Sequence, residues 1–169
     1  MKIYLHKRKG VNIPVMHTEE ELDFLREFVT SNSIDVIVNI GTWYAGLESM
    51  FDECTKAEIY GFDKEQACRR ITRIMMSSRV ALIEHDVLKQ PSALIKRILH
   101  STHSDGVSFL YCDGGNKIRE IEYYAPMLCR GDWLGTHDWG SNKDKYFADK
   151  LNGFIEIGRK GSVCLWHRD

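Results

Sequence analysis

One pattern restricts the fold of this chain more than any other: an apolar strand, a glycine turn, a helix, and a second apolar strand ending in an acid. Ile34-Asp-Val-Ile-Val-Asn-Ile40 runs into Gly41-Thr-Trp-Tyr-Ala-Gly46, and Glu58-Ile-Tyr-Gly-Phe62 then runs into Asp63. The acid follows the turn by about twenty residues, the interval of a nucleotide-binding βαβ unit. In such a unit the glycines let backbone approach a ligand, and the acid accepts hydrogen bonds from ribose hydroxyls. Two later segments, Phe109-Leu-Tyr-Cys-Asp113 and Trp133-Leu-Gly-Thr-His-Asp138, also end in aspartate. In an open α/β sheet the C-terminal edge of the strands is where ligands bind.

The remaining elements fit the same plan. Thr18-Glu-Glu-Glu21 reads as a capping box opening a helix that carries Leu22, Leu25, Phe28 and Val29 on one side. Strands are predicted over 34–40, 58–63, 80–85, 107–112 and 132–137. Helices are predicted after Gly46 and over Lys64–Ser78, Pro91–His100 and Lys117–Leu128, with a short one near Tyr146–Leu151. Arg69, Arg70 and Arg73 form the outer face of the second of these and read as a solvated surface. Phe154–Ile157 and Ser162–Trp166 are joined by Gly158-Arg-Lys-Gly161, short enough for a hairpin. The first four strands are apolar throughout, as expected where helices cover both faces of a parallel sheet. The chain must reverse its winding between the third and fourth strands, which makes the first and fourth neighbours and opens a crevice at their ends. The expectation is a single α/β domain with a seven-stranded, mostly parallel sheet in the order 3-2-1-4-5-7-6 and an antiparallel C-terminal hairpin.

Length and charge narrow the function classes. The 169 residues suit one domain, and 43% hydrophobic content can fill one core. A net charge of −1 gives no global field for nucleic acid or an anionic membrane, so neither is expected as a partner. No apolar run approaches the roughly twenty residues that span a bilayer. The N-terminal Met1-Lys-Ile-Tyr-Leu-His-Lys-Arg-Lys-Gly10 is basic but lacks the apolar segment of a signal peptide. Five cysteines without a C-x-x-C spacing argue against a zinc framework and fit free thiols in a reducing, cytoplasmic setting. A dinucleotide oxidoreductase is disfavoured, because G-x-G-x-x-G is missing and a hairpin ends the sheet.

Taken in order, several segments resemble class I S-adenosylmethionine-dependent methyltransferases, and more narrowly the small-molecule O-methyltransferase group that includes cephalosporin-hydroxylase-like proteins. They are Gly10-Val-Asn-Ile-Pro14, Val36-Ile-Val-Asn-Ile-Gly-Thr-Trp-Tyr-Ala-Gly46, Tyr60-Gly-Phe-Asp63, Asp113-Gly-Gly-Asn116, Ala125-Pro-Met-Leu-Cys-Arg-Gly131 and Trp133-Leu-Gly-Thr-His-Asp-Trp139. The resemblance implies a Rossmann-like methyltransferase fold that binds S-adenosylmethionine and methylates a small-molecule hydroxyl. By position it implies that Asn39, Gly41, Thr42, Trp43 and Gly46 border the methionine part. Asp63 would hold the ribose, and Asp86 with Val87 the adenine. Asp113 and Asp138 would lie near the transferred methyl, where related enzymes hold a divalent cation such as Mg²⁺. His137, Asp138 and Lys117 are the candidate catalytic groups.

Three departures stand out. Asn39 replaces the acid that usually opens the first motif, Trp43 and Ala45 replace glycines, and Asn116 replaces a histidine. These departures keep a second reading open, a non-catalytic module that binds a nucleotide or a partner on the same fold. The plainer alternatives also stand: Asp63 and Asp113 as helix caps, Asp86 as a loop residue, His137 as a structural hydrogen-bonder. The short N-terminal segment offers few built-in substrate walls, which leaves room for a second subunit to complete the pocket.

Overall fold

The computed structural model describes residues 3–65, 75–90, 93–101, 106–140, 146–147 and 150–169. The chain opens with an antiparallel pair that the sequence reading had left unstructured, β1 (Tyr4–Arg8) and β2 (Val11–Val15). Lys9 and Gly10, both with positive φ, make its two-residue turn. Buried His6 and Arg8 alternate with exposed Leu5 and Lys7, a period-2 pattern short enough to be missed among basic residues. The Arg8 guanidinium donates to Asp52 at 2.7 Å, and Arg79 reaches the other Asp52 oxygen at 2.9 Å. Asp52 therefore clamps the hairpin to the domain.

The capping box forms as expected and starts α1 (Glu19–Ser31). The parallel unit follows as β3 (Val36–Ile40), α2 (Gly46–Cys54), β4 (Glu58–Asp63), β5 (Val80–Glu84), α3 (Ala93–Ser101), β6 (Ser108–Cys112), α4 (Lys117–Tyr124) and β7 (Trp133–Thr136). A 3₁₀ turn over Ala125–Met127, with Pro126 in it, ends α4 earlier than the periodicity predicts. β8 (Phe154–Lys160) and β9 (Val163–Arg168) complete the sheet. The strand order is β5-β4-β3-β6-β7-β9-β8, with β9 antiparallel to β7. This is the expected order, with β3 and β6 adjacent.

Helices cover the sheet on both sides. Val36, Val38, Ile40, Leu110 and Trp166 face α3 and α4, whereas Ile37, Ile59, Phe109, Tyr111 and Leu165 face α1 and α2. β3 and β6 are buried at every position, which explains their unbroken apolar sequence. β5 departs from the expectation of full cover: it is the sheet edge and only half-buried. The C-terminal turn also moves. β8 continues through Gly158 to Lys160, with an irregularity in register between Glu156 and Gly158. Gly161 and Ser162 make the turn instead, because Ser162 docks on Glu21 through its amide at 2.7 Å and its hydroxyl at 2.8 Å. The basic helix predicted over Lys64–Ser78, with Arg69, Arg70 and Arg73, falls mostly outside the described residues, and the stretch Tyr146–Leu151 partly so.

Candidate active site

A cleft of about 570 Å³ opens at the C-terminal ends of β3, β4 and β6, where the winding reverses. Gly41, Thr42, Trp43, Gly46, Asp63, Asp86, Val87, Asp113, Lys117, His137 and Asp138 all line it. Asn39 does not; it lies fully buried beneath the floor.

The floor is the loop after β3. Gly41 has φ +95, and a Cβ there would sit 2.4 Å from the Asp113 carbonyl oxygen. The missing side chain lets the β3 loop lie directly against the end of β6. Space at Gly46 is likewise taken, by the Pro14 carbonyl and Val15. Trp43 (φ +44) and Ala45 (φ +59) keep the left-handed backbone that glycine would adopt more readily. The substitutions thus leave the loop's path left-handed and add side chains to it. Asp63 ties the loop to β4, accepting from the Trp43 amide at 2.9 Å and the Glu65 amide at 3.1 Å. Asp86 accepts from the amides of Leu88 and Lys89 and so caps its own turn. The Val87 carbonyl accepts from the Tyr124 hydroxyl at 2.7 Å, which holds that turn over α4.

Asn39 brings no charge, yet an acid does reach this point. Glu48 projects from α2, and Asn39 Nδ2 donates to its Oε1 at 2.7 Å. Both residues are wholly buried, and among the described residues neither Asn39 Oδ1 nor Glu48 Oε2 finds a hydrogen-bond partner. Burial pushes the Glu48 carboxyl up to about 8, only partly opposed by the Asn39 hydrogen bond. The sequence reading missed Glu48 because its helical position carries no motif.

The opposite wall is densely ionic. His137 is 5% exposed; its Nδ1 lies 3.2 Å from Asp113 and 3.7 Å from Asp138, and its Nε2 3.6 Å from Glu21. Burial alone would lower the His137 pKa, but the Asp113 hydrogen bond and the surrounding carboxylates outweigh it and raise it above its ordinary value. Lys117 Nζ lies 2.7 Å from Asp138 and 3.8 Å from Asp113. The Lys117 ammonium thus lies beside both carboxylates and offsets their repulsion. Asp138 has φ +54, a backbone position that turns its carboxylate toward Lys117.

Two further residues join this wall whose place in it the sequence did not signal. His17, between the hairpin and α1, stacks on His137 with ring centroids 4.0 Å apart and bonds Tyr111 Oη at 2.9 Å. Burial lowers its pKa to about 4, so it is neutral at physiological pH. Glu21, legible as a cap, also faces His137. Burial opposes its ionisation, yet hydrogen bonds from Thr18 and Ser162 hold it at about 2. Asn116, in place of a histidine, is the α4 N-cap and accepts from the Arg119 amide. Glu120, buried, secures the Asp113–Asn116 turn through the amides of Gly114 and Asn116.

No family model matches the sequence, and no curated protein matches it. Solved structures do match. A candidate caffeoyl-CoA O-methyltransferase from Staphylococcus aureus superposes with a TM-score of 0.70 at 13% identity, covering 93% of this chain and 86% of that one. An S-adenosylmethionine-dependent O-methyltransferase from Thermotoga maritima gives 0.66 at 11% identity, covering 90% and 66%. The N-methyltransferase NodS from Bradyrhizobium japonicum, solved with S-adenosylhomocysteine, gives 0.59 at 12% identity, covering 89% and 86%. The fold is that of class I methyltransferases. At these identities the likeness concerns the fold, and the chemistry has to be argued from the cleft itself.

Proposed function

We propose that this protein is an S-adenosylmethionine-dependent methyltransferase acting on a hydroxyl of a small molecule. The observation that carries the proposal is one cleft at the winding reversal. It has a left-handed loop and Asp63 at one end and the Asp113–His137–Lys117–Asp138 cluster at the other. Asp63 would accept from the ribose hydroxyls, Asp86 and Val87 would border the adenine, and the Gly41–Gly46 turn would border the methionine portion. The cleft volume and the near-neutral charge favour a small acceptor over a nucleic acid. An O-methyltransferase and an S-adenosylhomocysteine complex among the similar folds support the same reading.

The cofactor, when bound, supplies a methyl on a sulfonium. What remains for the protein is chiefly alignment of the acceptor oxygen with that methyl. The Asp113 and Asp138 carboxylates can receive the acceptor's hydroxyl hydrogen bond. The Lys117 ammonium, 13% exposed, can stabilise negative charge developing on the oxygen. His137, whose Nδ1 lies 3.2 Å from Asp113 and whose Nε2 faces Glu21, acts in this reading as the group that keeps Asp113 oriented.

Calorimetric titration with S-adenosylhomocysteine tests the proposal. Saturable binding that Asp63→Ala weakens is expected. Lack of binding at millimolar ligand overturns it and favours the module reading, to which the uncharged Asn39 and the Trp43 side chain in the loop point.

A further inference from the structure

We propose that His17, Asp113 and His137 form a site for a divalent transition-metal ion, of the zinc or ferrous class, at the acceptor end of the cleft. Among the described residues, these three each offer one ligand atom, and the atoms all lie within 4.8 Å of one another. His137 Nδ1 is 3.2 Å from Asp113 Oδ1, and His17 Nε2 is 3.9 Å from Asp113 Oδ2. Metal–ligand bonds of about 2.0–2.2 Å leave first-row ligand atoms roughly 3 Å apart, so the cluster has to draw in and the stacked His17 and His137 rings have to turn toward each other for both to reach one ion.

Several features separate this cluster from a chance meeting of polar groups. His17 is 2% exposed, and its Nε2, the nitrogen that faces Asp113, also meets Tyr111 Oη at 2.9 Å, which fixes the ring in place. A supporting layer is already built. The Glu21 carboxylate faces the other nitrogen of His137 at 3.6 Å, and Glu21 is itself held by Thr18 and Ser162. A carboxylate behind a ligating histidine is the arrangement that orients metal-bound imidazoles.

Donor chemistry sets the class of ion. Two imidazoles and one carboxylate on one side, with the cleft open on the other, suit Zn²⁺, Fe²⁺ or Co²⁺ with free positions for a ligand. Mg²⁺ and Ca²⁺ prefer oxygen donors. The oxygen pair Asp113/Asp138 already shares the Lys117 ammonium. An ion at the His17 side would bind the acceptor oxygen and lower its pKa, a role that rests on the methyltransferase reading. The site itself does not rest on it.

Cobalt(II) titration of the chelator-treated full chain tests this. Visible absorption bands saturating at one equivalent are expected, with two hyperfine-shifted histidine resonances by NMR, displacement by Zn²⁺ and none by Mg²⁺. His17→Gln, which retains a hydrogen-bonding group toward Tyr111, should weaken Co²⁺ binding by about 10–100-fold, and Asp138→Asn should leave it within about twofold. The proposal is overturned by a featureless titration of the wild type, by fewer than two shifted histidines, or by a site that Mg²⁺ displaces. It is also overturned if Asp138→Asn weakens binding as much as His17→Gln. S-Adenosylhomocysteine titration of the same sample reports separately: cobalt bands without nucleoside binding break only the functional reading, and the reverse breaks only the metal site.

Discussion

The two ends of the cleft solve opposite electrostatic problems. At the β3 end, one buried acid sits with one amide, Glu48 against Asn39, and burial keeps that acid protonated at neutral pH. At the β6–β7 end, Glu21, Asp113, Asp138, His137 and Lys117 crowd together, and each carboxylate faces His137 or Lys117. A lone buried carboxylate has no partner to compensate desolvation, so it takes up a proton; a network of opposite charges can stay ionised. The Glu48–Asn39 pair beneath the floor is therefore neutral, and the close charge pairs lie on the other wall.

The largest expected effect is at the seam between the halves. Gly41→Ala puts a methyl against the Asp113 carbonyl on a backbone with φ +95, so it should cost about 3–4 kcal/mol in urea unfolding, from overpacking plus left-handed strain. A loss under about 1 kcal/mol would mean that the two halves are not packed through this contact.

Next comes Asp63→Ala, expected to weaken S-adenosylhomocysteine by about 1.5–3 kcal/mol, the range for a hydrogen bond to a charged group. Calorimetry on a variant whose melting curve is otherwise intact separates this from loss of the Trp43 tether. Unchanged affinity would assign Asp63 wholly to the loop.

The contrast in charge is sharpened by pH. Glu48 holds its proton to about pH 8 when folded and releases it near the ordinary 4.5 when unfolded. The folded state thus binds the extra proton between those values. Stability should fall as pH rises through that window, by about 1 kcal/mol per unit, and level off above it. Glu48→Gln should remove this slope, as read from urea midpoints at pH 6 and 7. Parallel slopes for variant and wild type would show Glu48 to be ionised in the fold.

The smallest effect is expected at Ala45. Replacement by glycine relieves left-handed strain of about 1–2 kcal/mol, but loses about 0.8 kcal/mol of methyl burial and costs about 0.5–1 kcal/mol in chain entropy. A net change within about 0.5 kcal/mol should follow in urea unfolding. A loss beyond about 1.5 kcal/mol would show that the Ala45 methyl holds the loop in place.

What was legible in the sequence was local or periodic. The unbroken apolar strands 34–40 and 107–112, the Thr18–Glu21 cap, the glycine turn and the aspartates at strand ends each depend on a few adjacent residues. Once alternation and winding rules are applied, they imply the order of all seven strands in the large sheet. The turn at Gly161–Ser162 was misplaced because a contact with Glu21, far away in sequence, outweighs the local glycine signal at Gly158. The N-terminal hairpin escaped notice because the buried positions of its first strand are His6 and Arg8, whose burial makes sense only once Asp52 and Glu53 are beside them.

The chain by itself determined the architecture and placed Gly41, Asp63, Asp113, His137 and Asp138 on one edge, since strand direction alone carries them there. Only the tertiary structure decided which groups face one another. His17 reaches His137, Glu48 brings a protonated carboxyl to Asn39, and Lys117 lies beside both Asp113 and Asp138. The physical reason is range. Backbone preference and hydrophobic period act over a few residues and are written in sequence order. The partner and protonation state of a buried polar group depend on contacts between segments that folding brings together from distant parts of the chain.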